Sequence, residues 1–255
     1  MSRNRVKKLD KHQERELRGV QQEINYNNNS KTKYDLSWFK PRGRQVEIVN
    51  AMDNFSWVGV QAPSGAGKTS CVVWKALNLI QEGKYDRIVF CKNVTEVGDD
   101  AIGLLKGDLD DKLSAHYEHM RVLFTDFMTK GQLECAEKNG NIVFTLPNFL
   151  LGATVKKGTV FILDECQNYS PMTLKLLMER VSDDSLLVLC ADKYQSYAIK
   201  KRPNGFQDLI DRITVKDDIG RYSKEPLFQY VELTTSENQR GAISKRVTEI
   251  YSGEY

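Results

Sequence analysis

The chain has 255 residues, of which 40% are hydrophobic and 28% charged, and its formal net charge is +3, a balance typical of a globular protein with a substantial core. No apolar run approaches the length of a membrane span and the first residues are charged, so we expect no membrane partner and a cytoplasmic location. The five cysteines lie at least 20 positions apart, which excludes a closely spaced zinc or redox motif and indicates free thiols.

The N-terminal residues 1–20 are basic, with seven arginines and lysines against three acids. Apolar residues recur among them at roughly helical spacing, which predicts a basic amphipathic helix. This helix could contact a nucleic-acid backbone or a neighbouring subunit; the alternative is a mobile, solvated arm. The polar, unpatterned residues 26–33 mark a domain boundary. We therefore divide the chain into a basic N-terminal extension, residues 1–33, and one folded domain, residues 34–255.

A short amphipathic helix is predicted after Pro41 and Gly43, and Gln45 opens it. A glutamine amide carries both a donor and an acceptor, so it could pair with the hydrogen-bonding edges of adenine. The alternative is an exposed helix residue that binds no ligand.

Residues 55–75 predict a strand, a loop and a helix in immediate succession. The apolar run 58–60 leads to Gly65 and Gly67, and helical spacing of apolar residues begins at Val72. A loop of small residues lets successive backbone N–H groups turn toward one anion, and the positive end of the following helix points to the same place. A triphosphate fits such a loop. The predicted contacts are Ala62, Pro63, Ser64, Gly65, Ala66, Gly67, Lys68, Thr69 and Ser70.

Two side chains at the end of this loop have specific predicted roles. Lys68 would reach the β- and γ-phosphates, and the Thr69 hydroxyl would join the coordination shell of Mg²⁺. Ala62 stands where the full phosphate-loop pattern has a glycine, and it requires only that the backbone avoid positive φ at that position. The alternative interpretation is an ordinary glycine-rich turn that happens to precede a lysine.

The middle of the chain carries fewer functional signals. Residues 87–91 predict a second strand and residues 141–145 a third, with a glycine-punctuated loop and a helix across residues 99–128. Two pairs of acids in that stretch are interpreted as helix-starting residues near a positive helix end, rather than as a metal site. They are Asp99, Asp100, Asp110 and Asp111.

Two acids stand at the end of an otherwise apolar segment, residues 159–168. The four residues 160–163 are all apolar, as expected for a strand buried on both faces of a parallel sheet. Asp164 and Glu165 follow, and a buried carboxylate is costly unless it is compensated. Mg²⁺ would supply the compensation: Asp164 would hold the ion, and Glu165 would orient and deprotonate the water that attacks the γ-phosphate. The alternative is a strand that runs into an acidic helix start.

Another buried strand, residues 185–190, is followed by a polar loop that contains Gln195. Gln195 could contact the γ-phosphate or its attacking water, although by itself it is an ordinary loop glutamine. Residues 204–213 predict a helix.

The C-terminal part predicts a strand at residues 228–233 and a final helix at residues 243–251. Arg240 lies between them, where its guanidinium could neutralise charge that develops on the γ-phosphate. The alternative for Arg240 is a surface ion pair.

The predicted elements alternate between buried strands and amphipathic helices. This alternation predicts an α/β fold of three layers, with helices on both faces of a mainly parallel sheet. The polar candidates cluster at strand ends, where ligands bind in such sheets.

Together these motifs resemble the PhoH-like family of single-domain ATPases, which is related to superfamily-one helicases. The resemblance runs from about Gln45 to Tyr251. Its specific parts are APSGAGKT (62–69), EVGDDAIGLLKGDLDDKL (96–113), ILDECQN (162–168), ADKYQ (191–195) and NGFQDLIDRI (204–213). This chain departs from the family at Ala62 and Ala191, which replace glycines, at Lys106, which replaces a proline, and at Leu151 and Ala153, where the family tends to have arginines.

The resemblance implies a RecA-like P-loop fold, ATP and Mg²⁺ as ligands, assembly into rings, and RNA binding or helicase activity. Carried over by position, it implies phosphate binding by Lys68, metal binding by Thr69 and Asp164, and catalytic roles for Glu165, Gln195 and Arg240.

Three functional hypotheses follow. The leading one is a Mg²⁺-dependent ATPase coupled to RNA or single-stranded DNA. Because a translocase needs two RecA-like lobes for each ATP and this chain has room for one, it predicts a homo-oligomer, in the form of a ring, in which Arg240 or another arginine completes a neighbour's site. The second is a nucleotide-gated assembly or binding module with slow ATPase and no translocation. The third, nucleotide kinase activity, is disfavoured by the DECQN and ADKYQ segments, which suit activation of water.

Overall fold

The structure, a computed structural model, describes residues 34–93, 109–150, 152, 154–192, 195, 204–218 and 220–252. Some of the predictions above lie outside these residues. They concern the basic extension 1–33, the acids Asp99 and Asp100, Lys106 in the glycine-rich loop, and Leu151 and Ala153.

Most of the predicted strands and helices agree with the structure to within one residue at each end. The strands are β1 (Trp57–Gln61), β2 (Arg87–Lys92), β3 (Ile142–Thr145), β4 (Thr159–Asp164), β5 (Leu186–Ala191), β6 (Thr214–Lys216), β7 (Arg221–Ser223) and β8 (Phe228–Glu232). The α-helices are α1 (Gln45–Asn54), α2 (Lys68–Gln81), α3 (Leu109–Thr125), α4 (Lys130–Lys138), α5 (Pro147–Leu150), α6 (Pro171–Met178), α7 (Gly205–Ile213) and α8 (Ala242–Ser252). Helix α3 begins at Leu109, so Asp110 and Asp111 stand in its first turn, as predicted.

Six strands form one sheet in the order β3-β2-β4-β5-β1-β8. Every neighbouring pair in it is parallel, which confirms the predicted α/β class. Strand β4, which ends in the acid pair, lies beside β5, and β5 lies beside β1, which leads into the glycine-rich loop. The carboxyl ends of all three strands therefore meet at one edge of the sheet.

The helices cover both faces of this sheet, as predicted. Along β4 the side chains alternate: Val160 and Ile162 join a core with residues of α1, α2, α3 and α4. Phe161 and Leu163 join a second core with residues of α6 and α7. All four side chains are fully buried, and burial of a large apolar side chain stabilises the fold by roughly 1.5–3 kcal/mol. The apolar run in the sequence thus serves two cores at once.

Strands β6 and β7 form a separate antiparallel pair that the sequence did not predict. Each has three residues, which is too short for alternation to be recognised.

All five cysteines are free thiols, and only Cys135 is exposed, which agrees with the prediction. In the described ranges no three His, Cys, Asp or Glu side chains are grouped so that they could hold a metal ion by themselves. None of the helices in the described part of the chain combines the length and apolar composition that a membrane span requires.

Helix α7 packs its first residue against the backbone of the segment that starts α6. The Gly205 N–H donates to the Tyr169 carbonyl at 2.8 Å, and a Cβ on Gly205 would lie 2.8 Å from backbone atoms of Ser170. Because backbone cannot move aside as a side chain can, we expect Gly205→Ala to lower the free energy of unfolding by about 1–3 kcal/mol. Urea denaturation measures this change.

Gly131 in α4 provides the matched control, since a Cβ there would meet nothing within 4 Å. Gly131→Ala should leave stability unchanged or raise it by up to about 1 kcal/mol. Equal stabilities for the Gly205→Ala variant and the unmodified chain would contradict the close packing described here.

Candidate functional site

The predicted site residues meet in a cleft of about 340 Å³ at the carboxyl edge of the sheet. All four predicted catalytic side chains line it: Lys68, Glu165, Gln195 and Arg240. The remaining lining residues are Pro63, Ser64, Gly65, Gly67, Thr69, Ser70, Lys92, Leu123, Asp164 and Gln239. Three predicted residues, Gln45, Ala62 and Ala66, are buried and do not line the cleft.

The loop between β1 and α2, the predicted phosphate loop, turns through two glycines with left-handed backbone. Gly65 and Gly67 have φ of +82° and +70°, the left-handed region that glycine adopts without penalty. A Cβ on Gly65 would lie 2.6 Å from Asn238 Oδ1, and one on Gly67 would lie 2.8 Å from Gln45 Nε2. Glycine therefore suits the backbone shape at both positions, and a Cβ at either one would also have to displace a side-chain amide.

The structure explains why alanine is tolerated at position 62, where the full phosphate-loop pattern has a glycine. Ala62 is buried, its N–H donates to the Ala191 carbonyl at 3.1 Å, and it is not among the described residues that have positive φ. Ala62 thus continues the pairing of β1 with β5, and alanine meets the backbone requirement at this position.

Lys68 is the first residue of α2 and lines the cleft. Burial by itself would lower the pKa of its ammonium group, but the carboxylates of Asp164 and Glu165 raise the pKa above its ordinary value. Lys68 therefore stays positively charged in the cleft, as binding of a polyphosphate requires.

Thr69 and Asp164, the two predicted metal ligands, lie together. The Thr69 hydroxyl donates to Asp164 Oδ1 at 3.4 Å, and Asp164 is only 2% exposed. Mg²⁺ is usually held by one or two carboxylates, waters and the phosphates of a substrate, and these two hard oxygen donors beside the loop fit that pattern. Their proximity agrees with the prediction, and their metal role stays a prediction.

Glu165 has a strained backbone, with φ 56° and ψ 42°. This left-handed conformation costs a residue with a side chain about 1 kcal/mol. One carboxylate oxygen, Oε2, accepts a hydrogen bond of 2.6 Å from Gln167 Nε2. The local geometry thus fixes where the predicted water-activating group lies.

Gln167 is a site residue that the sequence analysis missed. It is fully buried, and its Oε1 accepts from the Asp192 backbone N–H at 3.0 Å. Its Nε2 also lies 3.4 Å from the Gln195 carbonyl oxygen. Gln167 therefore connects Glu165 to the loop that carries Gln195. Its position in ILDECQN was visible in the sequence, but its partners belong to the end of another strand.

Gln45 lies in a different environment from the exposed position considered above. It is 2% exposed, its Nε2 donates to the Ala66 carbonyl at 2.9 Å, and its Oε1 accepts from the Arg42 N–H at 3.0 Å. The Gln45 amide thus stabilises the phosphate loop through its bond to Ala66. Pairing with adenine stays a prediction, and it would require the amide to share or exchange these bonds.

Residues after β8 fold back onto the tip of the phosphate loop. The Gln239 N–H donates to the Gly65 carbonyl at 3.0 Å, and Asn238 Nδ2 donates to the Ser64 carbonyl at 3.1 Å. Arg240 Nη1 donates to the Ser64 hydroxyl at 2.9 Å. Arg240 therefore contacts the phosphate loop of its own chain, and completion of a neighbour's site by Arg240 or another arginine stays a prediction.

Lys92 is the second residue that the sequence analysis missed. It ends β2 and is paired in register with Asp164. Its Nζ lies 3.6 Å from Asp164 Oδ2 and 3.6 Å from Glu165 Oε1. Finding it from the sequence would have required knowing that β2 and β4 are neighbours and how they are aligned.

Comparison with known proteins identifies relatives over most of the chain. The family model described as "PhoH-like protein" matches residues 40–252. A PhoH-like protein of Bacillus subtilis is 28% identical over 59% of this chain and 47% of its own length. Protein PhoH of Escherichia coli is 23% identical over 71% of this chain and 52% of its own. The chain spans about half the length of the curated relatives that it matches.

Among solved structures, the large terminase of a thermophilic bacteriophage has a TM-score of 0.45 and 13% identity, and the match covers 85% of this chain and 51% of the terminase. The DUF1998 helicase MrfA bound to DNA has a TM-score of 0.42 and 12% identity over 74% of this chain and 27% of the helicase. Likeness at this level adds nothing to the fold described above.

Proposed function

Because the chain belongs to the PhoH-like family, we propose that it is a Mg²⁺-dependent ATPase of the cytoplasm whose hydrolysis is coupled to binding or remodelling of RNA or single-stranded DNA. One observation carries the ATPase part of the proposal. The Thr69 hydroxyl at the end of the phosphate loop lies 3.4 Å from Asp164 Oδ1, although the two residues come from different elements of the fold. That proximity is what a metal-bound polyphosphate requires.

Binding of the polyphosphate starts from the backbone. The N–H groups of the loop and of the first turn of α2 face the phosphates, and the positive end of the helix favours their charge. The Lys68 ammonium then contacts the β- and γ-phosphates. Thr69 and Asp164 would hold Mg²⁺, which when bound supplies neutralisation of the charge on those phosphates.

Each of the three predicted catalytic side chains other than Lys68 has its own role in hydrolysis. Glu165 orients the attacking water and accepts its proton. Gln195 lines the same cleft and contacts the γ-phosphate or that water. Arg240 lies at the tip of the loop through its bond to Ser64, where it neutralises charge that develops on the γ-phosphate. Gln167 holds Glu165 in position through the bond of 2.6 Å.

Coupling to nucleic acid and assembly form the second part of the proposal. One chain supplies a single parallel sheet among its described residues, so a second lobe that closes over the nucleotide would come from another copy in a homo-oligomer, in the form of a ring. An arginine from a neighbouring copy would then add to the rate, and such an arginine is typically worth about 10³–10⁵ in rate.

A second candidate is a nucleotide-gated oligomeric module that hydrolyses ATP slowly and does not translocate. Two features of the sequence favour it: Leu151 and Ala153 stand where the family tends to have arginines. Loss of basic residues reduces attraction to a phosphate backbone.

The test is the rate of ATP hydrolysis with and without single-stranded RNA or DNA, at low and at moderate salt. We expect stimulation by nucleic acid that weakens as salt rises, because phosphate contacts release counter-ions. We also expect the activity per chain to fall on dilution as the oligomer dissociates. A hydrolysis rate that does not change with nucleic acid supports the nucleotide-gated module. A rate per chain that is independent of protein concentration contradicts a site shared between copies. Absence of ATP hydrolysis refutes both candidate functions.

A further inference from the structure

The acidic pair has a positively charged neighbour that the ATPase proposal does not use. Lys92 Nζ lies 3.6 Å from Asp164 Oδ2 and 3.6 Å from Glu165 Oε1. The Thr69 hydroxyl contacts the other Asp164 oxygen, Oδ1. Lys92 therefore pairs with both carboxylates, and on Asp164 it uses the oxygen that the Thr69 hydroxyl does not contact.

The environment explains why such a charge is needed. Asp164 is 2% exposed, and a buried carboxylate is costly unless a positive charge compensates it. In the proposed function Lys68 also contacts the phosphates, so bound phosphate would share its charge. Lys92, whose side chain is 32% exposed, is given no phosphate contact in the proposed function.

We propose that Lys92 is a built-in counter-ion of the acidic pair, which holds the two carboxylates in place without metal and keeps their affinity for a bare divalent cation low. Metal binding then depends on the negative oxygens that a polyphosphate brings. The site would thus take up metal and nucleotide together rather than metal first. The role of the metal rests on the proposed function, whereas the charge balance at the pair does not.

Three variants test this inference. Lys92→Met removes the charge and keeps most of the side-chain volume, and Lys92→Arg keeps the charge. Lys84→Met is the matched control, since Lys84 is exposed and pairs with Asp53 and Glu82 away from the cleft. Binding of Mn²⁺ is followed by electron paramagnetic resonance, first without nucleotide and then with a non-hydrolysable ATP analogue.

We expect Lys92→Met to bind Mn²⁺ about tenfold more tightly than the unmodified protein without nucleotide, and to show a smaller gain with the analogue. Lys92→Arg and Lys84→Met should behave as the unmodified protein does. In metal-free buffer Lys92→Met should also unfold at a temperature lower by about 3 °C, and Mn²⁺ should restore that loss.

Unchanged, weaker or undetectable Mn²⁺ binding by Lys92→Met would overturn the inference. Loss of affinity for the ATP analogue without a change in nucleotide-free Mn²⁺ binding would also overturn it and would make Lys92 a phosphate ligand instead. None of these measurements uses ATP hydrolysis. An unmodified protein that fails to hydrolyse ATP would refute the proposed function and leave the metal result standing.

Discussion

Replacing Lys68 by alanine is expected to reduce the rate of ATP hydrolysis by at least about a hundredfold, since loss of one preorganised charge at a transition state typically costs about 10²–10³. Lys68 lines the cleft together with Asp164 and Glu165, and these carboxylates raise the pKa of its ammonium group and keep it charged. Alanine cannot neutralise the β- and γ-phosphates. The measurement is kcat under saturating ATP.

The Lys68 variant needs a control for folding, because Lys68 also compensates the buried Asp164. Circular dichroism and thermal unfolding show whether the variant is folded, and Lys68→Arg keeps the charge in a different shape. Lys84→Ala, at an exposed position, should leave the rate unchanged. If a folded Lys68→Ala variant hydrolysed ATP at the rate of the unmodified protein, this cleft would not be the site of hydrolysis.

Glu165→Gln is expected to lower kcat by about 10²–10⁴, the range associated with loss of a general base, and to leave nucleotide affinity nearly intact. Glutamine keeps the size of the side chain, and its amide oxygen can still accept the bond from Gln167 Nε2. It cannot accept a proton from water. Single-turnover hydrolysis and equilibrium binding of ATP separate the two effects.

Glu179→Gln is the matched control for this substitution, because Glu179 is an exposed acid at the end of α6 that pairs with Lys175. It should change neither the rate nor the affinity. If Glu165→Gln bound nucleotide normally and also hydrolysed it normally, another group would have to activate the water. Loss of both ATP binding and hydrolysis would instead show that Glu165 is needed to bind the nucleotide.

The parts of the fold that were predicted from sequence depend on local patterns. The apolar run of β4 followed at once by Asp164 and Glu165 predicts both a buried strand and an acidic strand end. Gly65 and Gly67 predict the phosphate loop because their backbone requirement is local. Such signals lie within a few residues of one another, so no knowledge of the folded chain is needed to recognise them.

The parts that were missed depend on contacts between distant segments. Lys92 acquires its role only through the register of β2 with β4. Asn238 contacts the carbonyl of a residue 174 positions earlier. The sequence predicts Gln45 as a site residue, but not its bond to the carbonyl of a residue 21 positions later. Lysine and asparagine at these positions look like ordinary polar residues until the strand order is known. No local sequence pattern predicts the strand order, in which β5 lies between β1 and β4.

The left-handed backbone at Glu165 means that activity and robustness would favour different residues there. Glycine would adopt this conformation freely, and asparagine at little cost. In a library randomised at position 165, a screen for heat resistance would enrich those two residues, while a screen for turnover would recover the acid. Glutamate kept at this turn in an ancestral or engineered protein would therefore indicate selection for catalytic activity rather than for thermal stability.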